Sequence, residues 1–271
     1  MFSSKTYIVS WDEEFPNSLD IEAQLRDSGL AYLFHNVSSH DVDSPNWSRA
    51  EEIRYFGHFY NSLKDFADST HSVFIFHAGD VVYDDLSGYT KKVEQLFKND
   101  PEIALLAPNF SRDAFDGDGS FLFESEMYPG LALATMTNGM WVAISREIAL
   151  LTLGFYEWAM TRGVIQFPAM RSGWGLDIVY ASISILSNKK IYRDTTTSFY
   201  HPPGTSYDGG HAGKEMIKVI NGFYDFAPRI GFKKSDAIAV HETIIRKVQQ
   251  RENYTPTLDE VYPNLSFGME F

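Results

Sequence analysis

The chain has 271 residues, 44% hydrophobic and 15% aromatic, which is ample for a packed core in one large domain or one domain with an extension. A formal charge of -13 argues against a sequence-independent nucleic-acid binder and against general attraction to anionic lipid, but not against an anionic ligand held by a metal ion or a few local cations. The absence of cysteine excludes disulfides, thiolate nucleophiles, zinc-thiolate sites and iron–sulfur clusters.

Met1 to Lys5 carries no signal-peptide core and leads straight into a short strand, Thr6 to Ser10, ended by Trp11 and the acidic run Asp12-Glu13-Glu14. Ser18 or Asp20 is positioned to cap a helix that stops at Ser28-Gly29. Ala31 to Phe34 reads as a second strand. After a loop rich in Ser, Asp and His, helical spacing of Ile53, Phe56, Tyr60 and Leu63 predicts a helix from about Trp47 to Phe66. No apolar stretch is long enough to span a bilayer, so a soluble, cytoplasmic protein is expected.

The stretch Ser72 to Val81 is the centre of the pattern. Val73-Phe74-Ile75-Phe76 is apolar on both faces, as a central strand covered by helices must be. It stops at Gly79 and Asp80, which places a carboxylate at the carboxyl end of a strand, where open α/β sheets put their ligands. The β–α–β–α–β order to this point predicts an α/β fold, a mostly parallel sheet flanked by helices. A turn at Tyr83-Asp84-Asp85, a helix around Tyr89 to Phe97 and a strand at Ile103 to Ala107 continue the pattern.

Regularity is lost from Asn109 to Gly130, where the Asp-rich piece lacks the glutamate that an EF-hand loop requires. Strand character returns over Met136 to Ile144, and a helix starts at Ser145-Arg146-Glu147. Ser172-Gly173-Trp174-Gly175-Leu176-Asp177 opens an apolar helix. A last strand from Lys190 to Tyr200 ends at His201-Pro202-Pro203, before a glycine-rich loop through Gly213 that suits a lid. Helices around Glu215 to Phe226 and Ser235 to Arg251 form an expected C-terminal extension, dividing the chain into residues 1–213 and 214–271.

Three of these pieces, in this order, resemble the glycosyltransferases of the Rossmann-like GT-A fold, over roughly Lys5 to His201. Ala78-Gly79-Asp80 stands where such enzymes carry Asp-x-Asp. Thr137 to Glu147 is similar to the segment lining their acceptor side. Gly173-Trp174-Gly175-Leu176-Asp177 is similar to the element supplying the acid at the reaction centre of inverting members. One departure is plain: Ala78 replaces the first acid of the motif.

The resemblance implies transfer of a sugar, hexosyl or deoxyhexosyl, from a nucleotide-diphosphate donor such as a UDP-sugar to a glycan or other hydroxyl acceptor, with inversion, in glycan biosynthesis. The leaving diphosphate gathers negative charge, which calls for a cation, Mn²⁺ or Mg²⁺, with Asp80 and His201 as its expected ligands. The attacking hydroxyl must lose a proton, for which Asp177 is the expected general base, its alternative being a helix cap. Val9, Ser10 and Trp11, with Arg54 and Gly79, are the expected nucleotide contacts. Trp141 and Trp174 are either sugar platforms or core.

Two rivals remain on the sequence. Gly79-Asp80-Val81-Val82-Tyr83-Asp84 matches an element of binuclear metallophosphoesterases, but the Asp-x-His and Gly-Asn-His pieces of that chemistry are missing. A carbohydrate- or nucleotide-sugar-binding module without turnover fits the Ala78 departure.

Overall fold

In a computed structural model of the chain, the apolar run before Asp80 forms the strand β4, Val73–Ala78, with all six residues buried. The structure describes residues 2–51, 55–111, 122–125, 127–137, 139–165, 175–200, 209–245 and 257–262. Around β4 lies a nine-stranded sheet in the order β3-β2-β1-β4-β8-β5-β9-β7-β6. Its strands are β1 Ser4–Ser10, β2 Ala31–Asn36, β3 Trp47–Arg49, β5 Ile103–Ser111, β6 Leu122–Glu124, β7 Leu131–Ala134, β8 Trp141–Ser145 and β9 Lys190–Tyr200.

The Rossmann-like half is parallel: β1 pairs with β2 and with β4, and β2 with β3. Beyond β4 the sheet is mixed. β8 runs antiparallel to both β4 and β5, whereas β5 and β9 are parallel. Of the strand expected from Met136 to Ile144, only the part from Trp141 is strand among the described residues. β7 ends at Ala134, and β8 begins only at Trp141 and inserts between β4 and β5.

Helices α1 Phe15–Arg26 and α3 Leu86–Asn99 cover one face of the sheet. The other carries α2 Tyr55–Asp68, α4 Arg146–Thr161 and α5 Leu176–Leu186. Alternation along β4 explains the layering. Phe74 and Phe76 point to α2 and meet Phe59 at ring distances of 5.3 and 5.0 Å, while His77 and Gly79 point to the α1 side. Tyr156 of α4 and Tyr180 of α5 close over Phe59, so one aromatic core joins three helices to the sheet.

Two expected helices start elsewhere. α1 begins at Phe15, with Glu14 as its N-cap residue, ahead of Ser18 and Asp20; Pro16 in the first turn has its φ preset for a helix start. The helix expected from Trp47 is instead β3 followed by α2. Trp47 stacks on Phe34 at 4.2 Å and 4°, and this tertiary contact holds Trp47–Arg49 against the edge of β2.

α6 runs from Gly209 to Phe226, so the glycine-rich stretch is already helical from Gly209 and α6 passes through the expected boundary at residues 213 and 214. It packs on α4 and α5, with Met216 against Gly175. After a 3₁₀ turn at Ala227–Ile230 comes α7, Lys234–Ala239, continued by a π-helical turn to Ile245.

The sequence after α7 is tied back to the sheet by Tyr262. Its buried hydroxyl donates to Ala134 O at 2.7 Å and accepts from Ile191 N at 3.1 Å. Tyr262→Phe leaves both backbone groups without that partner and is expected to cost about 1–3 kcal/mol in urea unfolding. A change within error would mean that water replaces the hydroxyl there.

Candidate functional site

The carboxyl ends of β1 and β4 form the candidate site. Val9 pairs with Ala78 in the last rung of their ladder, and the chain leaves the sheet at Gly79. A side chain at Gly79 would place its Cβ 2.5 Å from Val9 O and 2.8 Å from Ser18 Oγ. Glycine is therefore required for α1 and β1 to close on this turn, whatever ligand it meets. Asn17 of α1 donates to Gly79 O at 2.5 Å and to Val81 O at 3.0 Å, so it brackets Asp80. Two residues further, Val82 forms an isolated antiparallel bridge with Tyr200 at the end of β9, with N···O distances of 2.8 and 3.3 Å.

Two carboxylates meet here. Burial, and then the charge of Asp80, push the Glu14 carboxyl above its ordinary range. Glu14 Oε2 is buried and has no hydrogen-bond partner among the described residues. Beneath them His77 is fully enclosed, with Nδ1 2.8 Å from the Tyr83 hydroxyl, and burial lowers it to about 4, so the ring is neutral. Tyr83 in turn packs edge-on against Phe199 at 4.5 Å, joining the Asp80 turn to β9 a second time.

Val9 and Ser10 are buried, while Trp11 is partly exposed and lies beside the rings of Tyr55 and His58. The loops after β1 and β2 are joined through Asp12, whose Oδ1 accepts from Ser39 N at 2.6 Å and Ser39 Oγ at 2.7 Å. Arg54, Trp174 and His201 lie outside the described residues. Trp141 is fully buried against Tyr89 and Phe199, which decides it as core rather than a platform. Asp194, at the bend of β9, is bound by Lys92 at 2.6 Å and by the Thr196 and Thr197 backbone, so it shapes the strand.

Asp177 sits in the first turn of α5, after Gly175, whose φ of 95° is a left-handed conformation. Its Oδ1 accepts from Ile178 N at 2.9 Å. Burial nevertheless raises the carboxyl to about 6, against the backbone N–H groups that pull it down. Neutral Tyr180, one turn on, donates to Thr137 O at 3.5 Å. The next carbonyls bond toward the end of β4: Tyr55 donates to Gly139 O at 2.7 Å, and Ala78 N donates to Met140 O at 3.1 Å. Ala78, two residues before Asp80, and Tyr180, one turn after Asp177, thus bond carbonyls close together in the sequence, those of Met140 and Thr137.

The residues that sequence reasoning missed are Asn17, Glu14 and Tyr55. Their roles come from contacts across 60 or more positions, for which no local pattern exists. Among the described residues no three acid or histidine side chains converge as a ready cation cage, and no helix is long and apolar enough to cross a membrane.

No protein-family model matches the chain, and no curated protein matches it in sequence. Solved structures do. A crystal structure of A197 from STIV is 14% identical, with 74% of this chain and 85% of that one covered at a TM-score of 0.45. The crystal structure of GalNAc-T7 with UDP, GalNAc and Mn²⁺ is 9% identical, with 92% of this chain covered at a TM-score of 0.55. This chain spans 57% of the length of that protein. At such identity the likeness is one of fold, and it bears out the Rossmann-like GT-A architecture expected from the sequence.

Proposed function

We propose that the chain is a nucleotide-sugar-dependent glycosyltransferase, with the donor diphosphate at Asp80 and the acceptor hydroxyl at Asp177. The observation that carries this reading is the GT-A-like fold with one carboxylate, Asp80, just past the carboxyl end of β4 and another, Asp177, in the first turn of α5 after the left-handed Gly175. A sugar transferase needs a cation-ready acid and a separate base, and these two acids are the pair proposed for those tasks.

The residues present suit a divalent metal. Asp80 and Glu14 bring two carboxylates to one edge, the buried Glu14 Oε2 lacks a protein partner among the described residues, and hard cations are commonly held by one or two carboxylates plus substrate phosphates. Asp80 would hold Mn²⁺ or Mg²⁺, with His201 as a further proposed ligand. When bound, the cation offsets the negative charge gathering on the leaving diphosphate.

The remaining chemistry belongs to the chain. Asp177 accepts the proton of the acceptor hydroxyl as its oxygen attacks the anomeric carbon, from the face opposite the departing diphosphate. The C–O bond to the diphosphate breaks, its electron pair leaves with the nucleoside diphosphate, and the anomeric configuration inverts. Val9, Ser10 and Trp11, with Arg54 and Gly79, line the nucleotide side in this reading, and partly exposed Trp11 offers a ring face to the base.

The test is a calorimetric titration of UDP with and without Mn²⁺, together with an assay of UDP release from UDP-sugars across an acceptor panel. The wild-type protein is expected to bind UDP more tightly with Mn²⁺ and to release UDP from one donor. Asp80→Ala is expected to remove the metal-dependent gain, worth about 10-fold or more when a metal ligand is lost. Tight donor binding without any turnover would replace the transferase with a binding module.

A further inference from the structure

We infer that Asn17 is a positioning residue that fixes the orientation of the Asp80 carboxylate, an inference that rests on Asp80 facing the donor's metal–diphosphate. The ladder between β1 and β4 ends at Val9 and Ala78, and the next sheet-like pairing is at Val82. Between them Gly79, Asp80 and Val81 make the turn. One amide nitrogen, Asn17 Nδ2, donates to the carbonyls on both sides of Asp80, at 2.5 and 3.0 Å. Gly79 O lies in the peptide plane that enters Asp80 and Val81 O in the plane that leaves Val81, so the Asp80-Val81 pair is held at both ends and the swing of the Asp80 Cα–Cβ bond is restricted.

Neighbouring residues equip α1 for this task. Pro16 starts the helix and Phe15 stacks on His40 at 4.2 Å, which anchors the first turn to the loop after β2. Ser18, the next residue, packs where Gly79 has no side chain. The amide of Asn17 therefore reaches across from an anchored element rather than from a free surface loop. Asparagine suits the position because its amide nitrogen carries two hydrogens, one for each carbonyl.

Holding a ligand by a group outside the coordination sphere is worth about 10- to 100-fold in metal affinity at comparable sites. The experiment is the UDP titration with and without Mn²⁺ on the full chain, comparing wild type with Asn17→Ala, Asn17→Asp and Asn17→Ser. Without metal, all four are expected to bind UDP alike. The gain in UDP affinity conferred by Mn²⁺ is expected to fall by about 10-fold in Asn17→Ala. It should fall further in Asn17→Asp, whose carboxylate would face two carbonyl oxygens. Asn17→Ser, able to donate to one carbonyl, should be intermediate, and it supplies the same comparison if the alanine variant does not fold.

A lowered melting temperature with an unchanged Mn²⁺-dependent gain in every folded variant overturns the inference and leaves Asn17 a structural clamp. A wild-type protein without any Mn²⁺-dependent gain instead overturns the placement of Asp80 at a metal–diphosphate, and this inference falls with it.

Discussion

Asp177→Asn is expected to lower the rate of sugar transfer by about 100- to 10,000-fold, the range over which a placed general base contributes, with UDP affinity unchanged. The substitution keeps the shape and the bond from Ile178 N to the side-chain oxygen, but removes the site that takes the proton. Burial holds the carboxyl at about 6, which fixes the sign of the pH dependence. Below that value the group is protonated and cannot act as base, so kcat/KM should fall by about tenfold per pH unit, and above it the rate should level. Asp177→Asn should lose this limb. Wild-type-like transfer by the asparagine variant at pH 7 would remove Asp177 from the mechanism.

Stability should move the other way. The folded-state value lies above that of an unfolded chain, near 3.9. Between the two values the folded protein holds more protons than the unfolded one, so this group's contribution to stability falls as pH rises through that window. Above pH 6 the ionised carboxylate is a standing cost, and the neutral amide removes it. Asp177→Asn should therefore melt no lower than wild type at pH 7 while being inactive. Asparagine keeps the bond to Ile178 N, and Gly175 rather than Asp177 is the N-cap of α5. A purely structural Asp177 would therefore leave activity intact in this variant, so the loss of transfer marks a functional acid.

How much of the fold is legible in the sequence depends on whether the signal is local. β1, β4 and β9 are legible because each is an apolar or β-branched run with turn chemistry at its end, and Asp80 is legible because it follows such a run directly. α4 begins where Ser145 predicts. β3 is illegible because three residues carry no periodicity; only the Trp47–Phe34 stack makes them a strand. The insertion of β8 antiparallel between β4 and β5 is a pairing over long sequence distances, and so is the reach of Tyr55 to Gly139.

The site divides in the same way. Its acids at strand end and helix start can be picked out one by one, since each stands beside glycine in a recognisable setting. The contacts around them cannot. The segment Thr137 to Met140 reads as part of a strand in the sequence, yet its carbonyls are where Tyr180, Tyr55 and Ala78 converge. Glu14 reads as one of three acids in a solvated turn. Only the closing of α1 onto β4 sets it beside Asp80.

Gly79→Val is expected to be the most destabilising single change at this edge, by about 3 kcal/mol, the upper end of the usual cost of overpacking. The first added atom would lie 2.5 Å from Val9 O and 2.8 Å from Ser18 Oγ. Ser18 can turn its hydroxyl away. Val9 O belongs to a central strand with neighbours on both sides and cannot yield without moving β1 against β2 and β4. Two further methyl groups would then have to be placed between α1 and the sheet, where the side chains of Val9, Ser10 and Ser18 are already buried. Against a typical total of about 5–15 kcal/mol this is a large fraction, and it should appear as a lower urea midpoint at unchanged slope. Gly79→Ala meets the same backbone oxygen with one atom instead of three, so it should fall between valine and wild type. Both variants should also weaken the Mn²⁺-dependent gain in UDP affinity, because the carbonyl that Asn17 holds belongs to Gly79 itself. A valine variant of wild-type stability would mean that α1 lifts from the sheet freely, and in that case the turn carrying Asp80 is not held from this side.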